Sequence, residues 1–273
     1  MSRLLTIEWL KLKHYKAFWI LILMYAIGVS IICSSGMFLL EFLKSKGADF
    51  DGIDPTIIPL YDFPDVWQNI TYIASFLKVI LAFLIVISIS NEITYRTLRQ
   101  NVIDGLSKKE FLGSKLLLIL AISIMSILLL FIIGISTGLA YSHVQGIQYM
   151  FQSMEFLFVY GLEVFTYLSF ALLITLIIKK AGVSIVFLFM YTLMFEPLIA
   201  VIFENVPGLP EWTRGISPFL PINALNNLIH VPFQRYMFME VQDYVSLKEI
   251  AIVLGWLIFN IGFSFRILSK KDL

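Results

Sequence analysis

Six apolar stretches, each long enough to cross a bilayer as a helix, constrain what this chain can fold into more than any other feature. A helix rises 1.5 Å per residue and needs roughly 20 apolar residues to cross a hydrocarbon core of about 30 Å. Runs of that kind occupy Ala17–Leu40, Ile70–Ser90, Lys115–Ala140, Glu155–Ile178, Gly182–Glu204 and Lys248–Leu268. Composition agrees: 59% of the 273 residues are hydrophobic and 14% charged, where a soluble domain carries about 45–50% and about 25%. A water-soluble globule of this length could not hide so much apolar side chain, because its surface stays large relative to its volume. A soluble enzyme, a disordered tail and a disulfide scaffold are thereby excluded. The chain reads as an all-α integral membrane protein, a single transmembrane domain over residues 1–273. The first stretch follows Lys11, Lys13 and Lys16 as a signal peptide would. Its apolar region is too long, however, and no small-residue cleavage site follows, so it is expected to remain as an anchor.

The distribution of Lys and Arg sets the orientation. With a cytoplasmic N-terminus, fourteen basic residues fall on inner segments and five on outer ones (Lys44, Lys46, Arg214, Arg235 and the border residue Lys248). The positive-inside rule then places both termini in the cytoplasm. The first outer loop, Glu41–Asn69, is acidic. A net charge of +1 with scattered basic residues gives no reason to expect nucleic acid. Cys33 has no second cysteine to pair with, and His14, His143 and His230 lie too far apart for metal-ligand spacing.

Local signals mark several helix ends. Ser107-Lys108-Lys109-Glu110 and Ser246-Leu247-Lys248-Glu249 both fit the capping box ahead of an apolar run. Asp104-Gly105 reads as a helix stop and turn. Residues 1–16 are amphipathic: Leu4, Leu5, Leu12 and Tyr15, with Trp9, form the apolar side, while Glu8, Lys11 and Lys16 are expected to face water. Such a segment suits the membrane interface, either as a simple flank or as an interfacial helix leading into the first span. In the inner loop 91–114, Tyr95, Leu98, Val102 and Leu106 recur at helical spacing among polar residues, which predicts a short helix below the membrane.

That loop resembles the type-2 ATP-binding-cassette (ABC) exporter permeases. These carry an acidic residue at the inner end of span two, then a Thr-Leu-Arg segment, a turn, a Ser with a basic residue, and a Lys entering span three. Glu92, Thr97-Leu98-Arg99, Ser107-Lys108 and Lys115 match in order. The likeness extends to Glu8-Trp9-Leu10-Lys11-Leu12, the six spans and the long outer loop 205–247. Two positions depart: Arg96 stands where many members have Gly, and Leu106 where Pro is common. The resemblance implies that Glu92, Tyr95, Arg96, Thr97, Leu98, Arg99, Asp104, Gly105, Ser107 and Lys108 form a coupling helix docking on a separate ATPase. It further implies two copies of that ATPase, which hold ATP and Mg, and a second permease copy or a sibling permease. This chain has no Gly-x-x-x-x-Gly-Lys-Ser/Thr phosphate cradle, so it carries no cofactor and is not expected to be an enzyme. The expected location is the bacterial plasma (inner) membrane, in contact with its lipid.

Ionisable side chains at membrane depth are costly and face protein or water. Lys78, Glu163 and Glu196 each lie about eight residues, roughly 12 Å, from an expected outer end. They are read as a mutually compensating cluster, against the alternative that Lys78 snorkels alone and the acids pair with backbone or water. Pro197 is expected to kink span five. In the outer loop, Phe219–Ile229 is apolar with Asn insertions and reads as a re-entrant or interfacial hairpin, or as a loop folded over the bundle. Gly134-Ile-Ser-Thr-Gly138 matches a serine-nucleophile pattern, but the strand–turn–helix setting it needs is missing from a membrane span, and close helix packing is the better reading. Two further functions stay open: an ATP-independent secondary transporter with its coupling ion at Glu163 and Glu196, and a non-transporting assembly factor.

Overall fold

The computed structural model describes residues 2–46, 59–103, 105–144, 146–206, 210, 212–232 and 244–270, and every regular element among them is helical. Helix α1 (Ser2–Leu12) turns into α2 (Lys16–Ser34), and α3 (Gly36–Ser45) follows. The single first span expected over 17–40 is thus broken at Ser35. The Tyr61 hydroxyl stabilises the break from outside: it donates to Cys33 O (2.6 Å) and accepts from Gly36 N (2.9 Å).

Span two begins earlier than expected and is bent. Helices α4 (Val66–Ser75) and α5 (Lys78–Thr94) meet at 45°. Ser75 Oγ donates to Tyr72 O at 2.8 Å, a side-chain bond that competes with the backbone ladder in the last turn of α4. After α6 (Thr97–Ile103) comes α7 (Lys108–Tyr141), whose 34 residues extend roughly 51 Å, well beyond a hydrocarbon core. It starts seven residues before the expected Lys115 because the Ser107–Glu110 capping box is formed: Glu110 N donates to Ser107 Oγ (3.2 Å) and Ser107 N to Glu110 Oε2 (2.8 Å). At the second expected box, Glu249 is instead paired with His230 Nε2 at 3.1 Å.

Helix α8 (Ile147–Met150) precedes α9 (Glu155–Ile178), which falls on the expected residues. Span five is α10 (Ala181–Met190), a π-helical turn at Tyr191–Phe195, and α11 (Glu196–Asn205). Pro197 has no N–H to give the carbonyl one turn back, and the preceding amide, Glu196 N, bonds instead to Tyr191 O. Short α12 (Trp212–Ile216), a 3₁₀ turn (Ser217–Phe219) and α13 (Pro221–Asn226) lead toward α14 (Leu247–Lys270).

Among the described residues five helices are long and apolar enough to cross a membrane, and the bent α4–α5 pair makes six. Helix α9 is the hub on which α4, α5, α7, α10, α13 and α14 pack. Its apolar window is 72% buried, against 22% for α2 and 17% for α14, which separates the hub from the lipid-facing periphery. Gly134 and Gly138 allow α7 to approach the α4 region: a Cβ at Gly134 would lie 2.5 Å from the Trp67 ring, and one at Gly138 would enter the Phe63 ring. Lys108 Nζ reaches Ser269 O (3.2 Å), so the start of α7 and the end of α14 share one end of the bundle with α6 and α1.

Candidate functional site

Two buried charge networks occupy opposite ends of α5. At the α6 end, Lys115 Nζ lies 2.6 Å from Glu8 Oε2 and 2.6 Å from Glu92 Oε1, and 3.5 Å from Ser88 Oγ. Ser114 Oγ donates to Glu8 Oε1 (3.0 Å), and Lys11 Nζ donates to Glu92 Oε1 (3.1 Å). Lys115 and Glu8 side chains are each 2% exposed. Two carboxylates and two ammonium groups sum to zero, which is what makes their burial tolerable. The network fastens three elements, α1, the last turn of α5 and the third turn of α7. Burial alone would push the Glu8 carboxyl up, but the Lys115 ammonium, with help from Lys11 and Ser114, prevails and holds it below its ordinary value.

The expectation that Glu8 faces water is therefore corrected. Leu4, Glu8 and Leu12 are four residues apart and share one stripe of α1, and that stripe is turned inward, with Leu12 buried beside Glu8. Trp9 and Leu10 are exposed instead. The spacing of Glu8 on a leucine stripe was the signal in the sequence; the amphipathic reading placed all charges outside.

Of the expected coupling residues, Glu92 points inward and is 7% exposed, while Tyr95 is 74% exposed. Arg96 is exposed and takes φ +56°, the left-handed conformation that glycine adopts without steric cost. Gly105 (φ +93°) ends α6: Leu106 N bonds to Asn101 O at 2.9 Å, the outer bond of a Schellman turn. Thr97 Oγ1 donates to Glu92 O (3.4 Å), and Ser107 caps α7. Lys108 reaches α14 as described. The side chains of Leu98 and Arg99, and all of Asp104, lie outside the described residues.

At the other end of α5, Lys78 Nζ forms a buried ion pair with Glu163 and lies 3.3 Å from Asn226 Oδ1, with the Tyr167 ring 5.6 Å away. Glu196 does not share this pair as a direct ligand; its Oε1 accepts from the amides of Ile222 (2.6 Å) and Asn223 (2.7 Å) at the start of α13. The apolar segment 219–229 is drawn in by these bonds, and Ile222, Leu225, Leu228 and Ile229 are buried. Trp256 Nε1 donates to Phe219 O (2.9 Å) and Gln68 Nε2 to His230 O (3.1 Å), which fixes the segment to α14 and α4. Of the polar insertions in this segment, Asn226 meets Lys78 through its side chain, whereas Asn223 meets Glu196 through its backbone amide and turns its side chain to Ser217. In the serine pattern, Ser136 Oγ bonds to Ile133 O within its own helix, and His143 lies with Asp62 at the surface.

Such a bundle, with helices apolar enough to span a bilayer and interior ionisable groups met by opposite charges or by backbone amides, defines a polytopic helical membrane protein. The chain belongs to the ABC-2 family transporter proteins, whose family profile matches residues 4–195. No curated protein matches it. Membership makes it an integral membrane component of an ABC transporter and implies an ATP-binding partner subunit. The matched region takes in the whole Glu8–Glu92–Lys115 network and the Lys78–Glu163 pair, and stops just before Glu196.

Proposed function

We propose that this chain is the permease subunit of an ATP-driven exporter in a bacterial plasma membrane, with α6 as the helix that receives the stroke of a separate ATPase. The observation that carries the reading is the neutral network beside α6: Glu92 sits in the last turn of α5, five residues before Thr97, and is bound to α7 and α1 through Lys115. A push on α6 therefore reaches α1, α5 and α7 as one rigid body. Two ATPase copies, each holding ATP and Mg, would serve two permeases, a homodimer or a pair with a sibling chain. Cargo of apolar or amphipathic character, such as lipid, peptide or a drug-like compound, would pass between them, in keeping with the apolar outward faces of α2, α10–α11 and α14.

Co-purification in mild detergent tests this reading. A soluble ATPase is expected to travel with the wild-type chain and to be lost from the Arg96→Glu/Arg99→Glu variant, with the permease still folded. The ion-coupled alternative is disfavoured because Lys78 already neutralises Glu163. Transport that persists in ATP-depleted vesicles and follows a proton gradient would overturn the ATP-driven reading.

A further inference from the structure

Helices α1, α2 and α7 also enclose a groove, which Glu8 and Leu12 help to line. Its walls are Leu5 and Trp9 from α1 and Trp19 and Ile22 from α2, and its floor is Ala121 and Met125 of α7. The groove encloses about 290 Å³ and is almost wholly apolar. Trp9 and Trp19 stand edge to face with centroids 6.0 Å apart, and both remain partly exposed, so no described segment of the chain fills the space between them and α7.

One end of this groove is marked by charge. Trp19 Nε1 donates to Lys13 O at 2.9 Å, which places the turn from Lys13 to Lys16 beside the tryptophan wall. That turn carries Lys13, His14 and Lys16 with no acidic residue among them. Neither lysine forms an ion pair with a described residue, in contrast to Lys11, whose ammonium is taken by Glu8 and Glu92. Because α2 begins at Lys16, the turn lies where the first span meets the membrane surface. Tryptophans at that depth with unpaired lysines beside them suit a lipid whose headgroup is anionic.

We infer that the α1–α2–α7 groove is a binding site for one anionic phospholipid, with an acyl chain along Ala121 and Met125 and its phosphate at Lys13 and Lys16. The hydrocarbon tail gains little from leaving bulk lipid for an apolar groove. Selectivity therefore rests on the two cations, each contributing roughly a fivefold preference for an anionic headgroup. The same lipid bridges α1 to α2 and α7 and adds to the hold that the Glu8 network has on α1. The inference does not depend on whether an ATPase binds α6.

The test is native mass spectrometry of the full chain released from nanodiscs of phosphatidylglycerol and phosphatidylcholine. Wild-type protein is expected to retain one phosphatidylglycerol with a preference of about tenfold or more over phosphatidylcholine. Lys13→Gln/Lys16→Gln should reduce that preference to near unity, and Lys13→Arg/Lys16→Arg should keep it. Ala121→Phe, a change on the exposed floor of the groove, should abolish retention of both lipids while leaving the melting temperature in detergent unchanged. Equal retention of the two lipids by the wild type overturns the inference. So does a preference unaffected by removing both lysines, or retention that survives Ala121→Phe, which would indicate surface attraction without a groove.

Discussion

Replacing Lys115 by Met tests the network beside α6 at its centre. In the wild type the charges of Glu8 and Glu92 are balanced by Lys115 and Lys11. Met fills nearly the same volume but leaves two buried carboxylates with one ammonium, on a side chain that is 31% exposed and lies 3.1 and 3.6 Å from them. Removing one partner of a buried pair costs about 3–5 kcal/mol, and the remaining Lys11 places the expected loss toward the lower figure. The weakest attachment should yield first, which is α1, because α5 and α7 are also held by α9. A loss of about 3 kcal/mol raises the undocked population of α1 by roughly two powers of ten. Amide hydrogen exchange over residues 2–12, measured on the full chain in detergent, should accelerate by about that factor, while α9 is unaffected. The triple variant Glu8→Gln/Glu92→Gln/Lys115→Met removes the buried charges, leaves only the partly exposed Lys11 ammonium, and should recover most of the protection. Unchanged exchange in Lys115→Met would refute the claim that this network holds α1 to the bundle.

Acid should release the same contact. A carboxyl held below its ordinary value of 4.5 stabilises the fold fully above that pH and loses its contribution as pH falls through the folded value. Exchange in α1, corrected for intrinsic pH dependence, should be steady from neutral pH to about 4.5 and rise below it, and Glu8→Gln should remove the rise. Arg96→Gly should relieve about 1–2 kcal/mol of left-handed strain against a cost of about 0.4–1 kcal/mol in unfolded-chain freedom, so α6 protection should increase several-fold. Gly138→Ala drives a methyl into the Phe63 ring and should cost about 1–3 kcal/mol in thermal stability, whereas Gly113→Ala on the same helix meets open space and should be neutral or stabilising. Lys78→Met leaves Glu163 buried without its cation and should destabilise by about 3–5 kcal/mol, with Lys78→Met/Glu163→Gln restoring the apparent melting temperature; equal melting of the single and double variants would count against the pair.

By itself the sequence determined the class of the protein, because burying twenty apolar residues in a row has few solutions other than a membrane span, and each run overlaps a span found, although the first three differ in their ends or are broken. It also determined local events that depend on neighbours in the chain: the Ser107–Glu110 cap, the Gly105 stop and the Pro197 disturbance of span five. Which apolar helix is central was not legible, since protein interior and lipid select the same side chains and α9 reads as greasy on all sides. Partners of buried charge were only partly legible for the same kind of reason. A Lys or Glu in a span announces that it needs compensation, but the compensating group lies far along the chain, as Glu8 does from Lys115 (107 residues) and Asn226 from Lys78 (148 residues). Tertiary structure alone made those choices, joining Glu8 to Lys115 and giving Glu196 the amides of α13, because electrostatic pairing acts through space and the choice of partner leaves no period in the sequence.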